Sequence, residues 1–222
     1  MADNKSELGL WEEVMSTVPD DTITLGSYFA HQLLYNPRHI LFTFSRYKFA
    51  ARLLGETKKR RVLELGCNEG LGTLLLAQTA KEVVGIDFDK RAIRWAQDNL
   101  RRNNLTFVND DFLGKNFGRF DAVVSLDVIE HIPCEKEDEF LSTIYDNLND
   151  NGFCIIGTPN ISASKYASEA SRLGHVNLHD QQRFKKLFLK KFRNIFVFNC
   201  NDEMIHTGHD KMSHYFIALC VK

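Results

Sequence analysis

The chain of 222 residues is 44% hydrophobic and 26% charged, the proportions of an ordinary folded protein, which argues against disorder and against a fibrous architecture. Its formal net charge of -1 lacks the basic excess that nucleic-acid binding draws on. No apolar run approaches the ~20 residues that span a bilayer, so no membrane partner is expected.

Met1 to Pro19 carries acidic residues and no apolar stretch of the signal-peptide kind. The five cysteines, Cys67, Cys134, Cys154, Cys200 and Cys220, are widely separated with no CxxC pair, which predicts a reduced, cytoplasmic setting. Residues 1 to 37 are mixed and end in Tyr35-Asn36-Pro37, where proline opens the next element. From Arg38 to Leu54 the apolar positions Ile40, Leu41, Phe44, Tyr47, Ala51 and Leu54 recur at helical spacing, and Gly55 closes the run. Residues 1–55 are therefore read as a helical extension covering the functional site, and 56–222 as the main domain.

Short β-rich runs then alternate with helical patterns: Val62 to Leu65 and Leu71 to Ala80, Val83 to Asp87 and Lys90 to Arg102, then Thr106 to Val108. Ala122 to Leu126 follows, then a helix near Glu137 to Leu148, a turn at Asn149-Asp150-Asn151-Gly152 and a strand at Phe153 to Gly157. This alternation predicts an α/β fold with a parallel sheet covered on both faces. Residues 160–178 lack clear periodicity and form a candidate lid. A helix near Asp180 to Lys190 precedes strands at Asn194 to Phe198 and His214 to Cys220, which are expected to pair antiparallel because no convincing helix joins them.

Val62-Leu63-Glu64-Leu65-Gly66-Cys67-Asn68-Glu69-Gly70 runs from a strand into a helix through a small-residue turn, and Asp87 ends the next strand twenty-one residues after Gly66. A ligand can approach the backbone of such a turn closely, and a carboxylate at the second strand end can hold a ribose diol. A buried carboxylate just before the glycine opposes an anionic pyrophosphate, so Glu64 favours a cationic ligand over a dinucleotide.

This run resembles motif I of the class I S-adenosylmethionine-dependent methyltransferases. Asp121 to Leu126, continued by Asp127-Val128-Ile129-Glu130-His131-Ile132, resembles motif IV of their small-molecule members, which ends in "EHI". Asn68 stands where the common motif I form has its middle glycine. The resemblance implies a Rossmann-like sheet of seven strands, mostly parallel, in the order 3-2-1-4-5-7-6 with the last strand antiparallel. It also implies S-adenosyl-L-methionine as cofactor, with S-adenosyl-L-homocysteine as product. Glu64 would take the methionine amino group, and Gly66, Cys67, Asn68 and Gly70 would form the turn. Asp87 would hold the ribose, Asp110 or Asp111 the adenine amino group, with Phe88 or Phe112 packed on the ring. Leu126 and Asp127 would line the methionine end.

Methyl transfer needs an acceptor held in line and, for a hydroxyl or ammonium acceptor, a base. His131 is the leading candidate, followed by His175 and His39, with Arg38 placed to bind a phosphate or carboxylate on the acceptor. Asp127, Glu130 and His131 with His175 resemble the metal ligands of small-RNA 3′-end 2′-O-methyltransferases. Those enzymes carry glutamate at the place of Asp127 and a downstream histidine motif not reproduced here, so no metal is assigned. Thr158-Pro159-Asn160 and Gly174 to Leu178 are similar to segments of bacterial enzymes that modify sugars and surface polysaccharide. A small acceptor, phosphorylated or nucleotide-linked, is the expected substrate. RNA methylation, a non-catalytic Rossmann-like binding module and a nicotinamide-dependent oxidoreductase are the alternatives.

Overall fold

The structure is a computed structural model and describes residues 6–222. The first five positions of the expected 1–55 extension thus lie outside the described residues. The region before Pro37 holds two helices that the sequence pattern does not announce, α1 (Glu7–Ser16) and α2 (Ser27–Tyr35). Helix α3 (Pro37–Leu54) carries proline in its first turn, which has no amide proton to leave unpaired, and stops at Gly55 with φ +74°.

The alternation then unfolds as β1 (Arg61–Leu65), α4 (Thr73–Thr79), β2 (Glu82–Asp87), α5 (Lys90–Asn99), β3 (Leu105–Asn109), β4 (Phe120–Leu126), α6 (Glu137–Asp146) and β5 (Leu148–Pro159). Helix α7 (Glu169–Gly174), α8 (Gln181–Phe188), β6 (Asn194–Asn201), β7 (Met204–His206) and β8 (Tyr215–Val221) complete it. Side-chain caps from Asp89 and Asp180 open α5 and α8 by accepting backbone amides of the first turn.

The strands form one sheet in the order β3-β2-β1-β4-β5-β8-β6-β7. The pairs β3 to β5 through β2, β1 and β4 are parallel, while β8 runs antiparallel to both β5 and β6. The expected seven-strand order is therefore corrected to eight: the link after β6 folds back as the short edge strand β7, joined to β6 by Asp202 at φ +53°. Asn149 to Gly152, expected as a turn, form an irregular insertion within β5, with no register partner on β4 between Leu148 and Phe153. Strand β5 begins at Leu148 opposite Phe120, with a register shift between Phe120 and Ala122, and Asn149 donates to Asp121 at 2.8 Å.

Alternation along each strand explains why both faces are apolar. Leu63, Leu65, Val123, Cys154, Ile156, Phe216 and Ala218 face a core closed by Phe140, Leu141 and Ile144 of α6 and Phe184, Leu187 and Phe188 of α8. Val62, Ala122, Val124, Ile155, Tyr215 and Ile217 face the opposite core, under Tyr47, Ala50, Ala51 and Leu54 of α3 and Leu76 and Ala77 of α4. The carboxyl ends of β1, β2 and β4 thus open toward the segment where α2 and α3 meet the sheet. Among the described residues no helix is long and apolar enough to cross a membrane.

Candidate active site

The turn after β1 is shaped by Gly66, whose φ of +80° is the left-handed region and whose missing Cβ would lie 2.3 Å from the Val128 side chain. Both Asp87 oxygens hold this region in place. Oδ2 accepts from the Asn68 amide and Oδ1 from the Asp89 amide, each at 2.8 Å. A carboxylate offers about four lone-pair sites, so it retains capacity for a diol.

These ends open into a cavity of about 1330 Å³. Of the residues singled out in the sequence, Gly66, Cys67, Asn68, Asp87, Phe88, Asp111, Phe112, Leu126, Asp127, His39, His131 and His175 line it. Phe88 stands exposed while Phe112 is buried in the core. Gly70 and Asp110 are not on the cavity wall: Gly70 lies under the Phe107 ring, and Asp110 pairs with Lys115.

Glu64 is not on the wall either. Its Oε1 accepts from the Tyr47 hydroxyl at 2.6 Å, Tyr47 itself lines the cavity, and Oε2 is buried with no hydrogen-bond partner. Burial pushes the Glu64 carboxyl up to about 7, against the bond from Tyr47. Beside Tyr47 on α3, Arg46 donates through one terminal nitrogen to both Asp127 oxygens, at 2.8 and 3.1 Å. Its guanidinium stacks 3.6 Å from the centre of the Tyr215 ring, and its Nε is buried without a partner. Two adjacent residues of one helix thus reach the two carboxylates assigned to the methionine end. Asp127 has φ +58° and its amide donates to Gly157 O at 3.0 Å.

The turn Ile129–His131 places three polar groups beyond β4. Glu130 is fully buried, its Oε2 accepts from Thr158 at 3.0 Å and its Oε1 has no partner; burial and the nearby Asp127 charge push its carboxyl well up. His131 Nδ1 lies 2.9 Å from the Gly174 carbonyl oxygen. That oxygen can only accept, so Nδ1 is the donor and the neutral ring presents Nε2 as the base. The His175 ring stands edge-on to it with centroids 5.0 Å apart, and burial followed by the His131 charge lowers the His175 pKa. One ligand atom from each of Glu130, His131 and His175 falls within 4.8 Å of the others, close enough to hold a cation.

His39 closes the other wall, its Nε2 3.3 Å from the Tyr28 hydroxyl. Burial lowers the pKa of His39 and raises that of Tyr28 to about 12. The candidate lid is a short helical turn, Ile161–Tyr166, followed by α7. His179 is buried and bound to Glu137 at 2.9 Å. His206 bonds Asn201 and is absent from the cavity wall, whereas His214 lines it. Sequence reasoning missed Arg46, Tyr47, Tyr28 and Tyr215; no local spacing marks them.

A family model described as a methyltransferase domain matches residues 30–192. A probable S-adenosylmethionine-dependent methyltransferase of Mycolicibacterium smegmatis is 32% identical over 109 residues, 49% of this chain and 42% of that protein. A ubiquinone biosynthesis O-methyltransferase of Alkalilimnicola ehrlichii is 31% identical over 93 residues, 40% of this chain and 38% of that protein. The chain thus spans less than half the length of these two relatives. Among solved structures, the N-methyltransferase NodS from Bradyrhizobium japonicum aligns with a TM-score of 0.64 at 20% identity, covering 85% of this chain and 98% of that one.

Proposed function

The chain belongs to the methyltransferase-domain family, and from that premise we propose that it moves a methyl group from S-adenosylmethionine to an oxygen or nitrogen of a small polar metabolite. The cofactor supplies a methyl group already activated on a sulfonium centre. What falls to the protein is to position the acceptor, exclude water and take up a proton. The residues fit the cofactor: a turn kept open at Gly66, a ribose-holding carboxylate in Asp87, an exposed Phe88 ring for the base, and Asp111 for its amino group. Arg46 and Asp127 form an ion pair complementary to a zwitterionic amino acid, with Glu64 behind Tyr47 adding negative charge for the ammonium.

One observation carries the catalytic reading: the Gly174 carbonyl fixes the His131 tautomer and leaves Nε2 free beside the cavity. His131 then takes the acceptor proton, and His175 and His39 close the pocket. Arg38 and Lys136 on the wall suit a phosphorylated or nucleotide-linked acceptor, such as a sugar precursor of surface polysaccharide. The net charge of -1 weighs against RNA. A non-catalytic binding module has no use for a base held in one tautomer.

The test is transfer of label from methyl-tritiated cofactor to a panel of phosphorylated and nucleotide-linked sugars. His131→Ala is expected to lower turnover ~10²–10⁴-fold with S-adenosylhomocysteine affinity unchanged; wild-type turnover in that variant removes His131 as the base. The closeness of Glu130, His131 and His175 favours a second reading, in which a divalent cation polarises the acceptor hydroxyl. Loss of activity in EDTA, restored by Mg²⁺ or Mn²⁺, selects that reading.

A further inference from the structure

Helix α2 has no side-chain cap of its own. Its N-cap position is Gly26, which offers no side chain, yet the first-turn amides of a helix need acceptors. The acceptor comes from forty residues away: Glu69 Oε1 receives the Tyr28 amide at 2.8 Å and Oε2 the Phe29 amide at 3.0 Å. Glu69 is only 4% exposed, and a Cβ on Gly26 would lie 2.3 Å from its carboxylate carbon, so the glycine leaves room for this clasp. The segment before α2 is tied as well, through Trp95 Nε1 donating to Thr24 O at 2.9 Å.

Glu69 belongs to the cofactor turn. Its own amide donates to Asn68 Oδ1 at 2.6 Å, and the Asn68 amide donates to Asp87. An unbroken line of bonds therefore runs from Asp87 through Asn68 and Glu69 to the end of α2. That helix contributes Tyr28, Phe29 and Gln32 to the cavity wall, and Tyr28 meets His39 there. Of its nine residues only Phe29 is buried, while Leu33, Leu34 and Tyr35 stand exposed. Packing alone anchors α2 weakly, and two hydrogen bonds to a charged group carry much of its placement.

We propose that Glu69 is a positioning residue that couples the cofactor turn to the α2 wall of the acceptor pocket, so that cofactor binding orders this wall and the acceptor binds second. The inference rests on the cofactor reading above. A ligand held by Asp87 and the 66–70 turn restricts the same atoms that restrain α2, and a pocket wall fixed only in that state favours ordered binding.

Amide hydrogen exchange of residues 24–36, with and without saturating S-adenosylhomocysteine, tests the coupling. In the unaltered chain the ligand is expected to slow exchange there at least about tenfold. In Glu69→Ala the ligand still protects β1 and the 66–70 turn, but its effect on 24–36 disappears. Gly26→Ser combined with Glu69→Ala supplies a local cap without the link, and is expected to restore the helix but not its response to ligand. Ligand protection of 24–36 that survives in Glu69→Ala, or returns in the double variant, overturns the proposal in favour of simple capping. Should Glu69→Ala fail to fold, Glu69→Gln serves, since it replaces one of the two oxygens that hold the Tyr28 and Phe29 amides with an NH2 that can only donate. Absence of any S-adenosylhomocysteine binding to the unaltered chain, read by thermal shift, instead overturns the cofactor reading and this inference with it.

Discussion

Glu64 ties the protonation of one buried carboxyl to the charge of its ligand. Burial raises its pKa from 4.5 to about 7, so below that pH the group carries a proton that must leave before it can attract an ammonium. Affinity for S-adenosylhomocysteine is therefore expected to rise from pH 6 to pH 8, by up to about tenfold per unit below 7, and to be flat in Glu64→Gln. Titration calorimetry at three pH values checks this; identical profiles for both proteins remove Glu64 from the ligand's field. The ligand-free chain responds with the opposite sign. The folded form keeps a proton that the unfolded chain releases, so this group's contribution to stability is complete below about pH 4.5 and is lost as pH rises through about 7. At this scale Gly66, Asp87, Asp127 and His131 were legible because short spacings join them to strand ends. Arg46, Tyr28 and Glu69 were not, since their bonds cross 81 and 41 positions, and nothing local marks a residue whose partner is supplied by folding.

The β1–α4 turn carries a backbone constraint that can be separated from its packing constraint. Gly66→Ala meets both a left-handed φ of +80° and the Val128 side chain 2.3 Å from the new Cβ. The φ alone costs roughly 1–2 kcal/mol, and the clash adds to it. Calorimetric unfolding is expected to show Gly66→Ala strongly destabilised and Gly66→Ala with Val128→Ala partly recovered relative to it, once the loss from Val128→Ala alone is subtracted. Strict additivity of the two losses would show that the contact is not what limits this turn. The alternating strands and helices from β1 to β4 could be read in advance because the strands are short, near-continuous apolar runs while the helices repeat their apolar residues every 3.6 positions. Helix α1 could not, as none of its residues is buried and its apolar side chains report no core. Strand β7, three residues long, is too short for alternation to register. The start of β5 was hidden by Asn149 to Gly152, a turn-like insertion between Leu148, which pairs with Phe120, and Phe153, where the regular ladder resumes.

Over the whole molecule, the five cysteines are all free, four of them buried and Cys134 exposed. A thiol reagent such as Ellman's is therefore expected to titrate one group rapidly in the native protein and five after denaturation. Rapid reaction of a second thiol in the native state would contradict the packing around Cys67, Cys154, Cys200 and Cys220. The parallel half of the sheet was legible as a class, as was the antiparallel pair at the far end, because the link between those strands offered no helix. The insertion of β8 between β5 and β6 has a consequence for synthesis on the ribosome. Tyr215 on β8 is the ring against which Arg46 stacks, and it emerges long after α3, β1 and β2 have been translated. Until then the edge of β5 is unpaired and Arg46 has no platform, so the pocket is unfinished while most of the chain has already emerged. The interval before this strand arrives is when the open sheet edge is exposed to aggregation.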